Sequence, residues 1–393
     1  MNPMKRLITL AFAACLAGTA GAQTLDDVLR SIERNNKELQ ALGQQAEADR
    51  LATRTRNNLE DPRVEYSPFF TKGTSGVATS ELVVTQGFDF PTLYAARASA
   101  ARLQREAIDR RHAAARRDLL LTAKRLCLDL IRLNREARLL DERSRNADRL
   151  LELFEQRMKE GDAGILEVNK LKMERMNVQA EAARNTAAHR AALQELLALN
   201  GNLPLDFEAT DYPQTEPVAD LDALRDEMMG GDAALQAADA TARAAAQEVA
   251  VSRQGWLPQL EIGYRRNTDL NERFNGFLVG GSLPLFANRK KTRIARAQAV
   301  SSQLLADDAR LKAEAAVQGR FNELQQLQAS LAAYDVPLMR HTLSLLYQAV
   351  TEGHLSLIDY CVEADGVYRN LQSQLDVEHQ YQLALAEVYK NRL

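Results

Sequence analysis

The chain is written twice. Residues 38–66, ELQALGQQAEADRLATRTRNNLEDPRVEY, return 196 positions later as 234–262, ALQAADATARAAAQEVAVSRQGWLPQLEI. Leu39, Gln40, Ala41, Pro62 and Glu65 fall on Leu235, Gln236, Ala237, Pro258 and Glu261. A second echo, LFEQRMKEGDAGILEV at 153–168 and LLYQAVTEGHLSLIDY at 345–360, has a spacing of 192. Two copies with a period near half the chain exclude a short-repeat solenoid, which needs three or more stacked units. A duplicated half points to pseudo-symmetry about an axis shared with other subunits.

Lys5 and Arg6, the apolar run Leu7 to Leu16 and the small residues Ala20-Gly21-Ala22 predict a secretory signal peptide over 1–22. The alternative is a lipoprotein box, Phe12-Ala13-Ala14-Cys15, which would leave Cys15 acylated; the apolar run before it is short and Phe12 fits poorly. Loss of Lys5 and Arg6 from the 50 basic residues leaves 48 against 53 acidic ones, a balance that argues against nucleic acid as a partner. Beyond the signal, no apolar stretch reaches the roughly 18 residues of a membrane-spanning helix. Cys127 and Cys361 fall on helices roughly 35 Å or more apart along parallel rods. They are too distant to bridge within one subunit and read as small core residues.

A period of 3.5 dominates. Leu119, Leu126, Leu133, Leu140, Ala147 and Phe154 are seven apart, with Ala123, Leu130, Ala137, Leu151 and Met158 on the companion seam, as in a coiled coil. Val317, Leu324, Leu331, Leu338 and Leu345 repeat the pattern. The first repeat, 23–212, is read as helix 25–58 with Thr24 as N-cap, strands 63–70 and 81–88, long helix 93–158 and helix 165–199. A tight turn at Glu160-Gly161 and a stop at Asn200-Gly201 bound the last two. The second repeat, 213–393, gives helix 218–254, strands 259–266 and 276–283, long helix 289–350 and helix 355–391, turning at Glu352-Gly353. Two short helices laid end to end match one long one, so each half predicts a wall two rods wide.

Where the hairpins fall the period drops to two. Val64, Tyr66, Pro68 and Phe70 alternate with Arg63, Glu65 and Ser67; Leu260, Ile262 and Tyr264 alternate with Gln259, Glu261 and Arg265. Such strands have the length and single apolar face of transmembrane barrel strands, although a soluble hairpin packed on a helix would alternate in the same way. Four strands cannot close a barrel, and open edges are not tolerated at membrane depth, so a barrel requires several chains.

A signal peptide, a doubled helix–hairpin–helix–helix unit, the VTQGFDFP and VGGSLPLF stretches ahead of the long helices, and two EG turns together resemble the TolC family of bacterial outer-membrane efflux ducts. The resemblance covers essentially the whole mature chain. It implies a mainly α protein with a small β part. Three chains would build a 12-stranded outer-membrane β-barrel on a long periplasmic α-helical barrel, with 201–217 at its equator. It implies a homotrimer embedded in outer-membrane lipid of a Gram-negative cell, working with a periplasmic adaptor (membrane fusion protein) and an inner-membrane pump of the resistance-nodulation-division (RND) type or another. The function implied is a passive duct for efflux or type I secretion, and the divalent-cation branch, the CzcC and CusC type, is the most similar. The alternative is a secreted or periplasmic coiled-coil structural protein with soluble β-tips.

The resemblance also implies where function concentrates. Glu167 and Asp359, six residues after Gly161 and Gly353, correspond to acids that ring the periplasmic constriction, although both also read as first-turn acids of their helices. The turns Gly161 to Leu166 and Gly353 to Ile358 would meet the adaptor, with Ile165, Leu166, Leu355 and Leu357 as apolar anchors. Better-known members carry an arginine and a second acid where this chain has Leu355 and Val362. No nucleophile elbow, phosphate-binding loop or paired-histidine zinc motif is present, so neither an enzyme nor a cofactor or metal site is expected. Met173 and Met176 share a helical face and read as core or interface packing residues rather than metal ligands.

Overall fold

The computed structural model describes residues 23–73, 75–215, 220–269 and 272–393. The expected signal peptide, Cys15 and the first two residues of the expected helix 218–254 lie outside them. The elements in chain order are α1 (Leu25–Asn35), α2 (Lys37–Thr55), β1 (Arg63–Phe69), β2 (Thr79–Phe88), α3 (Pro91–Glu160), α4 (Ile165–Leu199), α5 (Leu221–Gly230), α6 (Ala233–Gln254), β3 (Gln259–Asp269), β4 (Arg273–Ser282), α7 (Lys291–Ala332), α8 (Val336–Glu352) and α9 (Leu357–Val388), followed by a 3-10 turn, Tyr389–Arg392. Two compact units are interleaved along the chain. One takes in the residues up to Lys37, Leu119–Pro217 and Arg320–Val388; the other takes in Glu38–Asp118, Val218–Gly319 and Tyr389–Leu393.

Three helices expected to be continuous are broken, each at a polar residue that offers the backbone another partner. Helix 25–58 is α1 and α2 and stops at Thr55. At Asn36 the backbone is extended, its N–H still donates to the Ile32 carbonyl, and its side-chain amide donates to the Leu199 carbonyl at 2.8 Å. Helix 218–254 is α5 and α6, separated at Gly231-Asp232. The Asp232 carboxylate accepts from the N–H groups of Ala234 and Leu235 at 2.7 and 3.0 Å and so caps α6. Long helix 289–350 is α7 and α8, parted at 333–335. Asp335 caps α8 by accepting from the Leu338 N–H at 2.9 Å, and Pro337 sits in the first turn, where an N–H has no partner to lose. The apolar repeat ran through this break because it reports which face is apolar, not whether the backbone between is helical. The expected helix 355–391 begins at Leu357, after its cap Ser356, and gives way to the 3-10 turn after Val388.

In one unit the two hairpins join into a single antiparallel sheet, β1-β2-β3-β4, because β2 of the first repeat pairs with β3 of the second. The register aligns the apolar positions across all four strands. Val64 faces Val84, Val84 faces Tyr264, and Tyr264 faces Phe277; Ile262 faces Val279, and Tyr66 faces Leu82. These side chains share one face, and Val64, Tyr66, Ile262, Tyr264, Phe277 and Val279 are all exposed. The band runs about 20 Å along the strands and turns polar toward the hairpin ends, at Arg266, Asn275 and Thr268. The opposite face carries Glu65, Glu261 and the ion pair of Arg265 with Glu81 at 2.8 Å. Among the described residues of the single chain, both outer edges, β1 and β4, are unpaired. In the same unit Ala107 of α3 packs on Ala240 and Ala244 of α6, where small side chains let the helices approach.

The other unit holds the larger core. Leu150, Leu151 and Phe154 of α3, Val168 and Leu171 of α4, Leu343 and Val350 of α8, and Leu357, Tyr360 and Ala364 of α9 form one buried cluster. Around it the chain makes its two glycine turns.

Candidate functional site

Both turns close by the same hydrogen bonds. After α3, the Gly161 N–H donates to the Met158 carbonyl and the Asp162 N–H to that of Arg157; after α8, Gly353 donates to Val350 and His354 to Ala349. This is the Schellman arrangement, which requires a left-handed residue at its centre. Gly161 has φ +89° and Gly353 has φ +82°. The offset of 192 seen in the sequence therefore holds bond for bond.

The acid six residues on takes part in the cap of the next helix in each copy. Glu167 accepts from the Gly164 N–H at 2.7 Å. Asp359 accepts from the Ser356 hydroxyl at 2.6 Å, and that hydroxyl oxygen accepts from the Asp359 N–H at 3.2 Å. Glu167 on α4 and Asp359 on α9 are thus each tied to their own helix start, and no hydrogen bond or ion pair joins them among the described residues. The first-turn role is satisfied with one oxygen of each carboxylate. The Ser-x-x-Asp spacing of 356–359 was the legible signal for this cap.

The apolar residues of the two tips are not equivalent. Ile165 and Leu166 are 58% and 78% exposed, as an anchor for a partner requires. Leu357, which occupies the same register as Ile165, is 1% exposed and belongs to the buried cluster, so it is no surface anchor; α9 lies against both α8 and α4 and draws Leu357 inward. Leu355 is half-buried against the same cluster. The outward residues of the second tip are Ile358 (59%) and Val362 (62%), which the sequence reading did not select as anchors. Beside them His354 lies 3.6 Å from Glu352. Met173 and Met176 are exposed in the single chain.

Two arginines secure the helices that carry the turns. Arg157 of α3 donates to the carbonyls of Val350 and Thr351 at the end of α8. Arg143, with its side chain 7% exposed, donates to Glu174 and Glu181 of α4 and to Asp365 of α9, and lies over the Tyr368 ring at 5.1 Å from its centroid. Among the described residues no group of three or more His, Cys, Asp or Glu side chains could hold a metal ion. No helix there is long and apolar enough to cross a membrane.

Residues 224–391, which include β3, β4 and the second turn, match the family model for outer membrane efflux proteins. This segment is similar to outer membrane efflux proteins. The likeness in fold extends through the first repeat as well. The outer-membrane channel OprN superposes with a TM-score of 0.77 at 14% identity, covering 93% of this chain and 89% of that one. CusC, described as forming a transmembrane channel, gives 0.69 at 15% over 96% and 95%, and the Campylobacter jejuni CmeC outer membrane channel gives 0.72 at 14% over 93% and 85%. The efflux-protein fold therefore spans both repeats. No curated protein matches the chain in sequence.

Proposed function

We propose that the chain is one protomer of the outer-membrane channel of a tripartite efflux system. The observation that carries this reading is the four-stranded sheet with one continuous apolar face and two unpaired edges. Such a sheet is stable at membrane depth only when its edges are paired. Three copies joined β4 to β1 supply twelve strands, an even number as such barrels use, with the apolar band toward lipid and Glu65, Glu81, Glu261 and Arg265 toward the lumen. The helices form the periplasmic conduit.

The two glycine turns then dock the adaptor, through Ile165 and Leu166 on one tip and Ile358 on the other, while an inner-membrane pump supplies the cargo. Glu167 and Asp359, three of each per trimer, give a ring of six carboxylates that favours cations at the constriction. The capping bonds support this placement, since each holds its carboxylate at a fixed point of the first helical turn.

Outer-membrane fractionation followed by native mass measurement in detergent tests the assembly. A trimer in the membrane fraction is expected; a soluble monomer overturns the reading. In planar bilayers, Glu167→Gln with Asp359→Asn is expected to reduce the preference for cations, and unchanged selectivity removes the gate assignment. Bulky replacements of Gly161 and Gly353 are expected to abolish efflux while the trimer persists; unchanged efflux removes the docking assignment.

A further inference from the structure

The sheet ends in a charge that its own fold does not require. Between Glu272 and Asp307 the chain has no carboxylate and six cations, and five of these fall in the eight residues from Arg289 to Arg296. Arg289, Lys290, Lys291, Arg293 and Arg296 are exposed where the chain leaves β4 and enters α7. Their side chains make no hydrogen bond or ion pair among the described residues.

The first repeat makes the same junction without them. With VTQGFDFP laid on VGGSLPLF, their places are taken by Tyr94, Ala95, Ala96, Ala98 and Ala101. The one cation of that stretch, Arg97, is paired with Asp89. Neighbouring acids do not balance the second copy either. Glu60, Asp61 and Glu261 are the carboxylates at this end of the sheet that have no cation among the described residues. Paired one to one they would still leave two of the five, and Arg63 and Arg253 besides. Every chain of an assembly brings both sets, so the surplus persists there.

Position indicates what the surplus meets. Leu283 continues the alternation of Phe277 and Val279 and is exposed, as are Leu285 and Phe286. Arg289 to Arg293 follow within seven residues of Phe286, roughly 10 Å of helical rise. The headgroup layer of a bilayer is about 5 to 8 Å deep on each side of the hydrocarbon. Cations just past an apolar band therefore meet lipid phosphates, and a guanidinium can hold two phosphate oxygens at once. The junction is also fixed in place. Asn288 donates to the Gly255 carbonyl, and Thr292 to that of Ser252 at 3.3 Å, which ties the cations to the end of α6.

We propose that residues 289–296 bind anionic phospholipid headgroups at the periplasmic margin of the barrel, with Leu285 and Phe286 among the acyl chains. The inference rests on the channel reading. It adds a lipid preference confined to the second repeat, with three such sites per trimer.

Trp256 provides the test. It is the single tryptophan, half-exposed, and it adjoins the Gly255 carbonyl that binds Asn288, so it reports on lipid beside Arg289. The intact protein is reconstituted in vesicles of equal parts phosphatidylglycerol and phosphatidylcholine, with bromine on one lipid or the other. Quenching is expected to show phosphatidylglycerol enriched about threefold or more beside Trp256, and less so at high salt. Arg289→Gln, Lys290→Gln, Lys291→Gln and Arg293→Gln together are expected to abolish the enrichment. The same change at Arg138, Arg149, Arg184 and Arg190, exposed cations of α3 and α4, removes equal charge and is expected to leave it unaltered. Equal quenching by the two lipids, enrichment that survives in the first variant, or its loss in the second overturns the proposal and leaves the cations to an acidic protein partner. Absence of quenching by either lipid overturns the channel reading itself, and this inference with it.

Discussion

The Arg157 guanidinium donates to the Thr351 carbonyl at 2.5 Å, so the last turn of the first repeat's long helix closes the last turn of its counterpart in the second. The relationship runs one way. The residue in the register of Arg157 is Ala349, which has nothing to return. The final carbonyls of a helix lack intrahelical partners, and a cation there also favours the helix dipole.

Arg157→Leu is expected to cost about 1 kcal/mol and to speed amide exchange at Gly353 and His354. The amides of Gly161 and Asp162 make the same bonds in the first turn without an arginine across from them, and serve as the internal control. Equal acceleration at both turns would show that the bond to Thr351 contributes nothing.

At Gly161 and Gly353 a Cβ would meet no atom within 4 Å, yet both residues have positive φ. The cost of Gly161→Ala or Gly353→Ala is therefore one of backbone conformation alone, about 1 kcal/mol each. Thermal unfolding should show equal, additive losses. The open space also means that bulky variants press on a partner rather than on this chain, which makes them clean probes of docking.

Removing Arg143 should be costlier. Arg143→Leu leaves Glu174, Glu181 and Asp365 without their shared cation at a point where α3, α4 and α9 meet, and a loss of about 3 kcal/mol is expected. Arg143→Lys keeps the charge but not the fork, and should fall between. A variant with wild-type melting temperature would refute the assignment of Arg143 as the staple of these helices.

The thiols give a pH-dependent readout. Burial pushes Cys127 up to about 12 and Cys361 up to about 11. At pH 8 roughly one Cys361 in a thousand is thiolate, the reactive form. Iodoacetamide should leave both cysteines of the folded protein unmodified at that pH and label both after unfolding; as pH rises, the partly exposed Cys361 should react first. Because both values lie above those of the unfolded chain, their contribution to stability is full below the ordinary thiol range and is lost as pH climbs through about 11 to 12.

Trp256, the single tryptophan, is half-exposed just ahead of β3, and Leu283, Leu285 and Phe286 are exposed just past β4, at the same end of the sheet. Aromatic residues at the margin of a transmembrane band sit at the lipid headgroups. Brominated lipids should quench Trp256 emission in reconstituted protein; emission unaffected by them would place the sheet outside the bilayer.

The legible parts of the fold were those with local punctuation. The α4 boundaries, Ile165 and Leu199, agree with the sequence reading at both ends because Gly164 and Asn200-Gly201 mark them. Strand alternation located all four strands, but the pairing of β2 with β3 joins residues 172 to 190 positions apart, from Phe88–Leu260 to Thr79–Asp269, and left no local mark. The breaks at Asn36, Asp232 and Asp335 were hidden because those residues are tolerated within helices, although Pro337 two positions after Asp335 carried the signal. The burial of Leu357 was illegible for a different reason. Ile165 has the same register and the opposite exposure, and only the packing of α9 between its neighbours separates them.

The alternation that fills one face of the sheet also bears on where membrane character resides. No strand puts more than every second residue on the apolar face, and none of the described helices is apolar enough to span a bilayer. Among the described residues no helix offers the roughly 20 consecutive apolar residues that enter lipid on their own. The hydrophobicity that holds the sheet in a bilayer exists only after the strands are side by side. On the proposed channel reading, membrane character is then a property of the assembled sheet and of no single segment.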